Sequence, residues 1–434
     1  MKNKKTAISL LSLVFICLFL YSCNDNDNNT SAIKDYDPSK PIKLQTFYPD
    51  SGKYLEKVLL TGSNFGTDPE KIRVYFNQKK AAVVGSTGDR MYVLAPRLPG
   101  DTVTISVAIG KDSVIYEKKF YYEVSVTVTT IAGNGAANYK DGDLTESELQ
   151  PRYVCVDKEN NIFVANWVGG GYHFARIDEE AGQLITISRD VVANAPAADP
   201  KTGIITFPTE TTVGSFYTLD PREMWAPRTR EMKWPPTGDR PDQGWKHCMV
   251  VNPTDGSIYT RYYFGHIVKI NPRSYEVETV FKTEEGDSYG LTFNPKNPNI
   301  LYISFWGNSG VNANSICSID VTDPTHSFRR LSGSTGGGHR DGPLENAQFR
   351  NPSQIFTDND GNMYIADSGN HCIRRITPEG MVETVLGIPG KVGWKDGGSD
   401  EALFNTPRGL GIAQDGTVYV ADEGNYRIRK LSIN

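Results

Sequence analysis

The side chains able to do chemistry are aromatic and cationic, and they are spread along the chain. Trp167 and Trp306 end apolar runs, VANW and ISFW. Tyr139, His339 and Trp394 each stand directly before a Lys/Arg-Asp-Gly tripeptide, and Trp245 precedes another apolar run. A flat aromatic face matches the C–H face of a sugar ring, and the polar edge of Trp or Tyr adds hydrogen bonding. Such side chains are costly in exposed loops unless used. These six residues are the candidate ligand-binding set, expected to gather on one face. Arg152, Arg350 and Arg408 stand beside prolines that open apolar runs. They could line a channel, or pair with loop carboxylates. The segment REMWAPRTREMKWPPTGDRPDQGWKH (222–247) is stiffened by proline and would suit a presented aromatic loop.

Reactive constellations are sparse by comparison. The six histidines show no H-x-x-x-H or H-E-x-x-H spacing, and no G-x-S-x-G is present. Whether His173, His247 and Arg261 meet in the fold cannot be read from their spacing. Cys155, Cys248, Cys317 and Cys372 each sit alone in a strand-like run, as buried thiols do. Asp141, Asp341 and Asp396 precede glycine and are expected to serve turn chemistry. No catalytic residue, metal site or cofactor is assigned.

The N-terminus reads MKNKK, then the apolar stretch AISLLSLVFICLFL over residues 7–20. A bilayer span needs ~20 apolar residues, so this stretch suits a signal sequence. Leu20-Tyr21-Ser22-Cys23 follows, and it resembles a lipobox. The resemblance implies cleavage after residue 22 and acylation of Cys23, with the lipid as membrane anchor. Residues 23–40 are polar and acidic, as expected of a disordered tether. An acidic run beside the lipidated cysteine resembles the surface-export signal of outer-membrane lipoproteins in glycan-degrading Gram-negative bacteria. That implies an outer-membrane protein facing the cell exterior.

Formal net charge is −5, and the leader removes only lysines, so the mature chain is more acidic still. There is no electrostatic case for a nucleic-acid partner. Gly, Pro and aromatic residues are abundant, which favours short strands. Over residues 41–123, runs such as KVLLTG, IRVYF, MYVLAP and TVTISVAI alternate with turn formers, the pattern of an antiparallel sandwich. The G-x-N-F-G element (Gly62, Asn64, Phe65, Gly66) resembles the IPT/TIG immunoglobulin-like family, in which such domains act mostly as spacers.

Residues 124–434 repeat. NPSQIFTDNDGNMYIADSGNHCIRRITPEGMVETVLG and TPRGLGIAQDGTVYVADEGNYRIRKLSIN align on a D-G turn and an AD-x-GN loop, and they resemble NHL repeats. Six repeats are legible, the second of them degenerate. The sixth lacks an outer strand, which residues 125–132 (SVTVTTIA) are expected to supply. The fold class is therefore all-β: an Ig-like sandwich followed by a six-bladed β-propeller. A lipidated sandwich-plus-propeller resembles an accessory of polysaccharide-utilisation systems. The resemblance implies non-catalytic carbohydrate binding, with a polysaccharide or oligosaccharide as ligand and an outer-membrane transporter or other surface lipoproteins as partners. The alternatives are a protein-interaction scaffold and a metal-dependent lyase or hydrolase.

Replacing Cys23 by Ser is expected to abolish labelling by radioactive palmitate and to release the chain from the membrane fraction. Labelling that survives the change contradicts lipidation at Cys23.

Overall fold

A computed structural model describes residues 35–433 apart from 97, 99, 100, 124, 125, 170, 190, 333 and 334. The leader, Cys23 and residues 23–34 of the tether lie outside the described residues. Two compact units separate between Glu123 and Val124.

The first unit is a sandwich of short antiparallel strands. Lys43–Tyr48 pairs with Lys57–Ser63, which pairs with Arg90–Leu94. The strand Lys79–Ser86 joins the two layers: its first residues pair with Ile72–Phe76, its later ones with Arg90–Leu94. Phe47, Leu60, Phe65, Phe76, Ile105 and Phe120 are buried between the layers. The G-x-N-F-G element behaves as read. Asn64 and Gly66 take positive φ, at 65° and 72°, and Phe65 is fully buried. Residues 35–40, read as tether, are instead held on this unit. The Asn64 side chain bonds the Asp37 amide and the carbonyls of Asp37 and Lys40, and Tyr36 donates to Asp112 at 2.8 Å. The polar composition of residues 35–40 gives no sign of the Asn64 side chain that fixes their backbone.

The second unit is a ring of six four-stranded blades. Blade one takes strands from Pro151–Val156 outward to Gln183–Arg189, and blade five from Pro352–Thr357 to Met381–Leu386. Blade two is short-stranded but complete. Its outer strand is Pro227–Glu231, so 222–247 holds no hidden seventh blade. Trp225 from that segment packs on Phe163, with centroids 6.0 Å apart, and Trp234 on Tyr262 at 6.3 Å. Of its three tryptophans only Trp245 is exposed, which corrects the picture of a presented aromatic loop.

Ring closure follows the expectation. Val126–Ala132 pairs antiparallel with Arg427–Ile433 and becomes the outer strand of blade six. Closure removes a free sheet edge.

The Lys/Arg-Asp-Gly loops do more than turn. Each runs to the outer edge of its own blade and adds a two-residue strand there: Gly142–Asp143, Gly342–Pro343 and Gly397–Gly398. Asp141 stays at the rim with Thr186 and Arg189, while Asp341 and Asp396 each reach a buried arginine. Asp396 accepts from Arg429 Nη2 at 2.7 Å and from the Thr130 amide at 3.0 Å. Arg429 also donates to Asp422 at 2.8 Å and to the carbonyls of Leu403 and Lys395. Blade five repeats this with Arg374, Asp341 and Asp367. Both arginines are fully buried, and so are Asp367 and Asp422. A buried ion pair adds little net stability while intact, but removing one partner is expensive because it strands the other charge. Arg429→Met is therefore expected to cost roughly 3–5 kcal/mol in the propeller's urea transition, and Asp396→Asn, at the rim, distinctly less. Equal losses would contradict the central role of Arg429.

Candidate functional site

A bulge opens several inner strands. Register shifts fall between Pro151 and Tyr153, Lys246 and Cys248, Pro352 and Ile355, and Pro407 and Gly409. A bulged residue drops out of the ladder and its side chain is re-aimed. Arg152, His247, Ser353 and Arg408 occupy these bulges. Tyr289, directly before Gly290–Asn294, holds the matching place in blade four. Gly409 lets blades six and one approach closely: a Cβ there would lie 2.6 Å from the Tyr153 Cα. Gln354, beside Ser353 in the bulge of blade five, ties three blades together. It bonds the backbone of Val154 and the amide of Leu410.

The second strands end at the same level. Trp306, Glu423 and Tyr263 each follow one, and Trp167 is the next-to-last residue of Ile162–Val168. Their contacts run unbroken around the mouth. The Arg152 guanidinium lies 4.1 Å from the Trp167 centroid, and its Nε is 3.2 Å from Glu423. Arg408 Nη1 is 3.4 Å from Glu423, and its Nε donates to the Tyr153 hydroxyl at 3.1 Å. The Arg408 guanidinium also covers Tyr289 at 4.5 Å and Trp306 at 5.0 Å. Tyr289 meets Trp306 edge-on at 5.3 Å and His247 at 4.8 Å. Beyond His247 come Tyr263 and then Trp245, the last pair 5.5 Å apart.

Charge is divided across the mouth. Arg152 and Arg408 of blades one and six share Glu423. On the other side His247 lies 3.6 Å from Glu210 and 3.4 Å from Asp287. Burial holds the His247 pKa below the usual imidazole value, against the pull of Asp287 and Glu210. Burial also opposes the charge on Arg408, but Tyr153 and Glu423 raise its pKa above the guanidinium norm. Among the described residues no group of three or more His, Cys, Asp or Glu could hold a metal ion. The four cysteines of the described residues are free and buried.

The structure thus brings Trp167, Trp245 and Trp306 to the mouth with Arg152 and Arg408. It does not bring the other four candidates there. Tyr139, His339 and Trp394 lie on the outer edges of blades one, five and six. Each bonds a threonine of an outer strand: Thr186 at 2.9 Å, Thr384 at 2.8 Å and Thr130 at 3.0 Å. The lead-in loop travels to the rim before it returns, which local spacing did not reveal. Arg350 precedes Pro352 by two residues, whereas Arg152 and Arg408 follow their prolines. Its side chain is exposed and lies against Gly369; Ser353 fills the bulge. His173 stacks on Tyr139 with centroids 3.9 Å apart, away from His247. Tyr289, Tyr263, Glu423, Glu210 and Asp287 were not anticipated as mouth residues. Glu423 was legible as the x of AD-x-GN, the position that carries Trp167 and Trp306 in other blades.

Residues 42–137 match the IPT/TIG domain family, and residues 404–431 match the NHL repeat. A curated relative is the chloroplastic protein Suppressor of quenching 1 of Arabidopsis thaliana. It is 35% identical over 97 residues, 22% of this chain and 9% of that protein. The chain thus spans about a tenth of the length of the curated relatives it first matches. Among solved structures, a protein of unknown function from Bacteroides thetaiotaomicron superposes with a TM-score of 0.80 at 24% identity, covering 92% of this chain and 100% of that one. An auxiliary nutrient binding protein of the same species gives 0.60 at 23%, covering 92% and 99%. A putative phosphatase, also of that species, gives 0.59 at 19% over the same shares. At these identities the likeness is one of fold.

Lys246, beside His247, is fully buried and donates to the carbonyls of Thr212 and Gly244. Burial lowers its pKa to about 7. Above that value the folded chain has lost a proton that the unfolded chain keeps up to about pH 10. Stability therefore gains with rising pH, by at most about 1.4 kcal/mol per unit. Urea unfolding of wild type and Lys246→Met between pH 7 and 9 checks this: the difference between them should move in favour of wild type as pH rises. A constant difference would contradict a neutral Lys246.

Proposed function

We propose that the chain is a non-catalytic binding protein whose propeller mouth captures a saccharide. The observation that carries the reading is the continuous mouth of aromatic faces and polar groups from Trp167 to Trp245. Sugar rings stack on such faces, and carboxylates, arginines and an imidazole between them match hydroxyl groups. The fold it shares with an auxiliary nutrient binding protein supports a nutrient as ligand. Lipid on Cys23 would anchor the chain to the outer membrane, facing the exterior, as an accessory of polysaccharide uptake. Its partners would then be an outer-membrane transporter or other surface lipoproteins. No helix among the described residues is long and apolar enough to cross a membrane.

One observation favours a second reading. His247, held neutral between Asp287 and Glu210, is placed as a general base would be. That reading makes the same mouth the active centre of a lyase or hydrolase.

Immobilised plant, host and microbial polysaccharides separate the two. The wild type should be retained on one glycan class with the glycan intact. Trp306→Ala should weaken retention about tenfold or more, the loss of one stacked and cation-covered ring. Trp394→Ala, at the rim, should bind as wild type. Retention on no glycan contradicts capture, and new reducing or unsaturated ends would transfer the mouth to the second reading.

A further inference from the structure

We infer that the mouth selects saccharides carrying a carboxylate, as uronates do, and that Arg152 and Arg408 are the residues that read it. The inference rests on the capture reading above and adds the ligand's charge.

The fully buried arginines elsewhere in the propeller are saturated, whereas the partly buried Arg330 and Arg427 also keep buried nitrogens without a partner among the described residues. Arg374 bonds Asp341, Asp367 and the carbonyls of Gln348 and Arg340. Arg261 bonds Thr283, Ser288 and the carbonyls of Gly286 and Glu284. The mouth pair is not saturated. Two guanidinium groups share one carboxylate, Glu423, at 3.2 and 3.4 Å, which leaves a positive charge in excess at that wall, opposite the acidic Glu210 and Asp287. Arg152 Nε is buried yet makes no aligned hydrogen bond among the described residues. Arg408, with 8% of its surface exposed, uses Nε and Nη1 and leaves Nη2 unengaged among the described residues. Buried donors are normally satisfied, and a guanidinium fork matches a planar carboxylate.

The opposite wall is acidic, with Glu210 and Asp287 flanking His247. A sugar stacked on Trp306 would therefore be oriented. Its carboxylate would face blades one and six, and its hydroxyl edge would donate to Glu210 and Asp287. Glu423 holds the arginines together when no ligand is bound, and it competes with the ligand's carboxylate for them.

The test uses the full mature chain in binding titrations with polygalacturonate, hyaluronate and alginate. Each is paired with its carboxyl-reduced form, and neutral polysaccharides stand beside them. Wild type should bind at least one uronate polymer tenfold or more tightly than its reduced form. Arg152→Gln, at a partly exposed position, should erase that preference. Glu423→Gln, which keeps both arginines, should tighten uronate binding severalfold. Equal binding to a polymer and its reduced form, or binding to neutral polysaccharides alone, overturns the charge inference and leaves saccharide capture standing. Binding to none of the polymers overturns both. An unchanged preference in Arg152→Gln, with an unchanged melting temperature, overturns the assignment of the arginine.

Discussion

The pairing of Val126–Ala132 with Arg427–Ile433 turns six separate sheets into a ring. No blade can bury both faces alone, so each depends on its neighbours. Without closure blade six would lose its outer strand and blade one a flanking sheet. The inner strands would then have no common axis, and residues separated by more than 250 positions, such as Tyr153 and Arg408, would not meet. Every property assigned to the mouth follows from this one antiparallel ladder. The Arg429 cluster sits on the same two strands, since Thr130 and Arg429 both bind Asp396. Closure is thus reinforced by a buried charge network as well as by backbone bonds.

Within the ring, regular pairing and its interruption divide the work. Regular positions of the inner strands are small or apolar, and they pack: Cys155, Cys248, Leu410 and the close-approach Gly409. The bulged Arg152, His247 and Arg408 are polar, and they meet the aromatic groups of the mouth. An irregularity in each of their strands lets a tightly packed ring present arginine and histidine there. The same economy appears at the rim. Tyr139, His339 and Trp394 use their polar edges on threonine, so large rings seal the outer edges of three blades.

Much of the fold was legible because it rests on repetition. The D-G turns, the AD-x-GN loops and the lone outer strand before the first repeat are local signals, and each became the element it announced. The G-x-N-F-G turn was legible because few residues accept positive φ. The site was legible only in part. Trp167 and Trp306 end strands, and a strand end lies where the strand leads. Trp394 and His339 lie in long loops, whose path is fixed by distant partners such as Arg429 and Arg374. Arg350 lies elsewhere for a related reason: it stands two residues before its proline instead of one after it, which puts its side chain outside the bulge. Tyr289 matters through neighbours on other blades, which no single repeat discloses.

The most direct test of the account is a crystal structure of the mature chain soaked with the oligosaccharide that binds best. The account predicts ligand density over Trp306 and Tyr289, with an acidic group within hydrogen-bonding distance of Arg152 or Arg408. Density on the outer edge of a blade, at Trp394 or Tyr139, with an unoccupied mouth would contradict it.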